Sequence, residues 1–202
     1  YRLNTDFKEE KFDFGRMFGF AYGEKENGAV FSHMAVMYAN ALYKRGFIKE
    51  GYKVLKNLLD SAMNFESSIM YPGIPEYFDN DGRGLYAYLT GAASWYMLTM
   101  ITEVFGVRGE LGNLVIKPAL LPEQFDKDGK AAIKLNFSGR TLKITIHADI
   151  DNIQDNNGVY NKIIRVECDG NELESADLKK VVIMKKRIEE MSCERCHEID
   201  VF

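Results

Sequence analysis

The chain predicts an α+β protein, with a helical part over residues 1–108 and an antiparallel β part over residues 109–202. Three observations carry that reading. Apolar residues recur at helical spacing before Arg108. They alternate with period two after it. Helices and strands are segregated along the chain rather than alternating, which is the pattern of an α+β architecture and not of βαβ units.

The first predicted helix covers residues 29–45. Val30, Met34, Met37 and Ala41 recur at helical spacing, with Phe31, Tyr38 and Leu42 beside them. Lys44 and Arg45 sit in its last turn, where cations suit the helix dipole, and Gly46 is the expected stop. A second helix over residues 48–64 places Val54, Leu55, Leu58, Leu59 and Ala62 on one face. A third runs from Ala92 to Phe105 and is closed by Gly106. All three are apolar over a wide arc, as expected of helices packed on more than one side. Strands follow at Leu114–Lys117, Ala132–Phe137, Leu142–Ala148, Lys162–Cys168, Val181–Met184 and Ile199–Phe202. Phe137-Ser-Gly-Arg-Thr and Cys168-Asp-Gly-Asn-Glu read as the turns between them.

The 202 residues suggest one large or two small domains, and 46% hydrophobic with 28% charged residues is an ordinary globular composition. A net charge of −4 argues against nucleic acid or an anionic membrane as partner. No apolar run approaches bilayer-spanning length, and a cytoplasmic location is expected. The chain opens on Tyr1 rather than Met and reads as the C-terminal piece of a longer protein or as a processed one. Cys168, Cys193 and Cys196 are too few and too odd in number for a disulfide framework, which fits a reducing compartment. Cys193-Glu-Arg-Cys-His197 spells the C-x-x-C-H of covalent haem attachment, but it lies beside a strand-like C-terminal run and lacks a second ligand pair. Neither a cofactor nor a metal is expected.

Two stretches carry chemistry. Tyr88-Leu-Thr-Gly-Ala-Ala-Ser-Trp-Tyr96 puts a hydroxyl and a glycine where a loop turns into an apolar helix. A helix start offers unpaired N–H groups and the positive dipole end, a ready place for an anion; Thr90 alone also reads as a simple N-cap. Residues 71–86 are rich in Pro, Gly, Asp and Asn, which forbid long regular structure, and in Tyr and Phe. We read this segment as an ordered loop lining a cleft. Aromatic faces with carboxylates are what a sugar ring and its hydroxyls need.

Gly23-Glu-Lys-Glu-Asn-Gly-Ala-Val-Phe-Ser-His33, Pro75-Glu-Tyr77, Leu89-Thr-Gly-Ala-Ala-Ser-Trp-Tyr96 and Phe105-Gly-Val-Arg-Gly109 occur in an order that resembles the C-terminal third of glycoside hydrolase family 94. That family holds cellobiose, chitobiose and cellodextrin phosphorylases, 1,2-β-oligoglucan phosphorylase and the phosphorylase-like region of cyclic β-1,2-glucan synthase. Ile74-Pro-Glu-Tyr and Gly82-Arg-Gly-Leu-Tyr are most similar to the 1,2-β-oligoglucan phosphorylases. The resemblance implies that residues 1–108 are the last helices of an (α/α)6 barrel, with a C-terminal β domain after them. It implies inverting phosphorolysis of a β-glucosidic bond, with inorganic phosphate as co-substrate and α-glucose 1-phosphate as product.

By position, His33 and the Thr90-Gly91 pair match the family's phosphate-binding residues. Thr90 can donate a hydroxyl, Gly91 lets backbone approach closely, and a histidine adds a donor whose charge adjusts near neutral pH. Read without the resemblance, His33 is a core or capping histidine. Glu76 is a candidate sugar contact. Glu26 and Asn27 either touch substrate or brace the loop before the first helix. Asp79 and Asp81 belong to the turn. The family's general acid, an aspartate, and a phosphate-binding arginine lie upstream of anything in this chain, so no catalytic residue is assigned within it. An inverting cleavage needs that acid, and the chain alone is expected to be inactive. The implied partners are a β-glucan oligosaccharide or disaccharide and phosphate. Helices that lack neighbours are expected to drive a homodimer or larger assembly. The competing readings are a non-catalytic carbohydrate-binding or packing module, and a related inverting glycoside hydrolase.

Overall fold

The computed structural model describes residue 2 and residues 4–70, 73–86, 91–149, 153, 158–160, 162–173 and 179–202. These divide into two compact units, Tyr1–Thr99 and Met100–Phe202.

In the first unit, β1 (Val30–Phe31) leads directly into α1 (Ser32–Lys44), followed by α2 (Ile48–Met63) and the short α3 (Phe65–Ser68). The turn between α1 and α2 is a Schellman motif. Gly46 (φ 84°) donates its N–H to the Tyr43 carbonyl and Phe47 donates to Leu42, both at 2.9 Å. The glycine supplies the left-handed backbone that the motif requires. α2 buries Gly51, Leu55, Leu58 and Ala62. Leu59, expected on that face, is 39% exposed.

α1 turns a different face inward from the one its periodicity suggested. Ala35, Val36, Ala39, Asn40 and Tyr43 are buried, whereas Met34, Met37 and Tyr38 are exposed. Small residues win the interior because neighbours come close. A Cβ on Gly51 of α2 would stand 2.6 Å from the Tyr43 ring. On its other flank α1 meets α4 (Gly91–Thr99), where Asn40 Nδ2 donates to Thr99 Oγ1 across 3.1 Å in the interior. Such a buried polar pair is satisfied only in this register. Residues 73–86 contribute β2 (Tyr77–Phe78) and β3 (Gly84–Leu85), which join β1 in a three-stranded antiparallel sheet. Asp79 Oδ1 accepts the N–H groups of Asp81 and Arg83 and so builds the turn between β2 and β3.

The second unit opens with a π-helical turn at Met100–Val104, in which Phe105 N–H reaches the Met100 carbonyl. The hairpin β4 (Val107–Glu110) and β5 (Asn113–Ile116) pairs with β10 (Val181–Ile183). A five-stranded sheet has the order β6 (Lys130–Phe137), β7 (Arg140–His147), β11 (Cys196–Val201), β8 (Val166–Cys168), β9 (Asn171–Glu172). Ser138-Gly139 and Asp169-Gly170 both have positive φ and close two-residue hairpins at the expected turns. Leu142, Ile144, Ile146, Val166, Ile199 and Val201 fill the inner face. The class is α+β as expected, with one feature that alternation could not reveal: β11 runs parallel to β7. A short helix, α5 (Lys185–Glu190), precedes β11. Among the described residues, no helix is long and apolar enough to cross a membrane.

Candidate functional site

The starts of α1 and α4 meet at His33 and Gly91. His33 is the second residue of α1 and Gly91 the first of α4. The imidazole lies directly over Gly91: a Cβ there would be 2.7 Å from both Nδ1 and Cε1. Glycine at 91 is therefore a condition of this contact. Trp95, one turn further along α4, also contacts the ring, tilted at 49° with a centroid distance of 5.9 Å. Both residues lie in the first turns of their helices, where the positive dipole ends are. His33 Nε2 is buried and has no hydrogen-bond partner among the described residues. Gly91 itself is exposed. An imidazole nitrogen that can donate a hydrogen bond, next to the first turns of two helices, is chemically suited to an anion. Thr90, named with them, lies outside the described residues.

Ser32 was not anticipated. Its side chain is fully buried and its Oγ, at the same helix start, has no hydrogen-bond partner among the described residues. Nothing in Phe31-Ser-His separates such a serine from an N-cap, so only the three-dimensional setting reveals it. Its backbone N–H donates to the Glu76 carbonyl at 2.9 Å, which ties the backbone of the loop at residue 76 to the start of α1. The small sheet next to it is aromatic. Phe31 stacks on Tyr77 at 5.3 Å, Tyr77 contacts Tyr86 at 5.7 Å, and Lys25 Nζ stands 5.2 Å over the Tyr86 ring. Burial pushes the Tyr77 hydroxyl up from its ordinary pKa, with the nearby Tyr86, Glu24, Asp79 and Glu76 charges adding to it, so it stays a neutral donor.

The Glu26–Asn27 loop is held by other partners. Asn27 Nδ2 donates to the Phe20 carbonyl at 2.8 Å, and its Oδ1 accepts from Asn4 at 3.1 Å. These contacts brace the loop. Glu26 Oε1 faces Arg16 at 3.8 Å, while Oε2 is buried without a partner among the described residues. Asn80 ties this loop to the β2–β3 turn by donating to the Tyr22 carbonyl at 2.6 Å.

In the second unit, the histidine of C-x-x-C-H is structural. His197 is 2% exposed, its Nδ1 meets Asp169 at 2.7 Å, and its Nε2 meets the Ser192 carbonyl at 3.0 Å. Both ring nitrogens are occupied, which leaves no lone pair for an iron or zinc ion. Cys193 and Cys196 are exposed free thiols and Cys168 is buried. Among the described residues, no group of three or more His, Cys, Asp or Glu side chains is placed to hold a metal ion.

No protein-family model matches the chain. It is 26% identical over 147 residues to the cellobionic acid phosphorylase of Neurospora crassa, an overlap that takes in 66% of this chain and 18% of that protein. The overlap accounts for most of one chain and a small part of the other, so the protein described here is distantly similar to part of a phosphorylase.

Proposed function

We propose that this chain is the phosphate-binding, C-terminal portion of an inverting β-glucoside phosphorylase of the glycoside hydrolase family 94 type, its helices forming the end of an (α/α)6 barrel. The observation that carries the reading is the buried, unpartnered Nε2 of His33 over Gly91, where α1 and α4 begin. The distant similarity to a phosphorylase supports it.

In this reading, phosphate lies against the two helix starts. His33 donates from Nε2 to one oxygen, and backbone N–H groups with the Thr90 hydroxyl take others. Positioning is most of the work, because a held nucleophile no longer loses translational freedom at the moment of attack. A phosphate oxygen bonds to the anomeric carbon on the face opposite the leaving sugar. The glycosidic C–O bond breaks, and the departing oxygen takes a proton from a carboxylic acid that this chain does not supply. Glu76 and Glu26 accept sugar hydroxyls, with Asn27 fixing the loop that carries Glu26. The product is α-glucose 1-phosphate.

The test is phosphorolysis by the longer protein containing this chain, with β-linked gluco-oligosaccharides as substrates. Glucose 1-phosphate release that depends on added phosphate is expected, and His33→Ala should raise the phosphate KM about tenfold or more while changing the sugar KM little. An unchanged phosphate dependence in that variant overturns the role of His33. Release of free glucose without phosphate overturns phosphorolysis in favour of hydrolysis.

A further inference from the structure

The second unit carries a pair of thiols that the proposed function does not use. Cys193 and Cys196, separated by Glu194 and Arg195, are both free and both exposed where the chain passes from α5 into β11. The backbone bends at Cys193, Glu194 and Arg195 in succession. Ser192 and His197 are five residues apart, about 17 Å if the chain between them were extended. His197 Nε2 nevertheless meets the Ser192 carbonyl at 3.0 Å, so the imidazole closes the segment into a loop that carries both thiols.

The base of this loop is anchored on both sides. Arg140 of β7 donates to the Met191 carbonyl at 3.3 Å and to the Glu189 carbonyl at 2.9 Å. Asp169, in the turn between β8 and β9, accepts from Arg195 at 2.8 Å and from the Glu198 N–H at 3.0 Å, and it meets His197 Nδ1 at 2.7 Å. Ser192 Oγ accepts the Glu194 N–H at 3.1 Å inside the loop. The two sulfurs carry little of this. Cys196 Sγ makes one weak contact, 3.8 Å to the His197 carbonyl, and Cys193 Sγ has no hydrogen-bond partner among the described residues. Cys168 is the contrast. It is buried in β8, and burial, with the charge of Asp169 adding to it, pushes its thiol up from the ordinary pKa and leaves it inert. Among the described residues no third ligand joins the exposed pair, so its chemistry is that of a dithiol and not of a metal centre.

We propose that Cys193 and Cys196 are a reversible modification site, at which a small-molecule disulfide of the glutathione class oxidises them to an intrachain disulfide across Glu194-Arg195. An extended C-x-x-C holds its Cα atoms about 10 Å apart. A disulfide needs them at about 4.4–6.8 Å. The successive bends shorten the span, and among the described residues no bond to the Cys193 side chain opposes the rest of the movement. The exchange runs in two steps. The Cys193 thiolate attacks one sulfur of the incoming disulfide, whose S–S bond breaks and releases one small thiol. The Cys196 thiolate then attacks the Cys193 sulfur of the mixed disulfide and displaces the second small thiol. The two protein sulfurs lose two electrons between them, the incoming disulfide gains two, and the two protons of the protein thiols end on the released thiols. The site lies wholly in the second unit and does not rest on the phosphorolysis reading.

The experiment equilibrates the 202-residue chain with oxidised and reduced glutathione, quenches it with N-ethylmaleimide and reads the products by mass spectrometry. The intact chain should become lighter by two hydrogens, with neither exposed cysteine labelled. Trypsin cuts after Arg187 and Arg195, so the peptides Ile188–Arg195 and Cys196–Phe202 should stay linked until dithiothreitol separates them. With reduced glutathione at about 0.1 mM, the closed form should exceed the singly glutathionylated form about tenfold, since a short tether supplies a millimolar effective concentration. Cys193→Ser and Cys196→Ser should each stop at one glutathione adduct. Both positions are exposed, and protection of buried Cys168 from maleimide reports that each variant is folded. The proposal is overturned if the parent chain also stops at the single adduct, if the linkage joins two chains or involves Cys168, or if neither exposed thiol reacts.

Discussion

The imidazole of His33 rests on the bare Cα of Gly91, in the space that any larger residue at 91 would need for its own Cβ. A methyl group there must displace the ring, and with it the orientation of Nε2. On the proposed phosphorylase reading, Gly91→Ala is therefore expected to raise the phosphate KM about tenfold, and it should cost about 1–3 kcal/mol of stability through overpacking. Steady-state kinetics at varied phosphate and urea unfolding check the two effects. An unchanged phosphate KM would detach this contact from anion binding.

The buried hydrogen bond between Asn40 and Thr99 registers α4 on α1. Thr99→Val leaves the amide without its acceptor in the interior and should cost about 1–3 kcal/mol. Replacing both residues, Asn40→Leu with Thr99→Val, should cost less than the two single changes added together. A double-mutant cycle by chemical denaturation measures the coupling, and strict additivity would mean that the bond contributes nothing.

Asp169 predicts how the second unit responds to acid. Partial burial works to raise its pKa. The hydrogen bond from His197, the backbone N–H of Glu198 and the positive charges of His197 and Arg195 outweigh burial and hold the carboxyl below its ordinary 3.8. A folded pKa below the unfolded one means that the carboxylate stabilises the fold above pH 3.8 and that this contribution fades as pH falls through the folded value. Asp169→Asn should flatten that part of the acid unfolding curve. A slope identical to that of the parent chain would contradict the assignment.

Met34, Met37 and Tyr38 form an exposed apolar strip on α1, and Met97 and Leu98 expose another on α4. The 202-residue chain studied alone is expected to self-associate through such surfaces. Light scattering should show a mass that rises with concentration, and Met34→Glu with Met37→Lys should return it toward the monomer. A monomer at every concentration would mean that these side chains do not drive association.

Some of this was legible in the residues. Ser138-Gly139 and Asp169-Gly170 announced turns, and at both the structure has two successive positive φ angles, which few residue pairs accept. Leu111-Gly112 makes the same kind of turn between β4 and β5, and leucine gives no such warning. The inward face of α1 was misread because hydrophobicity ranks Met above Ala, whereas closely packed helices select the smaller side chain. Parallel pairing of β11 with β7 depends on a distant return of the chain, which alternation cannot encode. At the candidate site, His33 and Gly91 were named from motif order, and the structure places them in contact. Ser32 was missed because an orphaned hydroxyl is a property of surroundings rather than of residue type.

The tie from Glu76 to the start of α1 that runs through its backbone is the acceptance of the Ser32 N–H by its carbonyl. Any amino acid other than one that distorts the β2 edge can keep that tie. On the proposed phosphorylase reading, the side chain at residue 76 can therefore change while the neighbouring helix start stays in place, so the proposed sugar contact and the proposed phosphate position are separable by mutation.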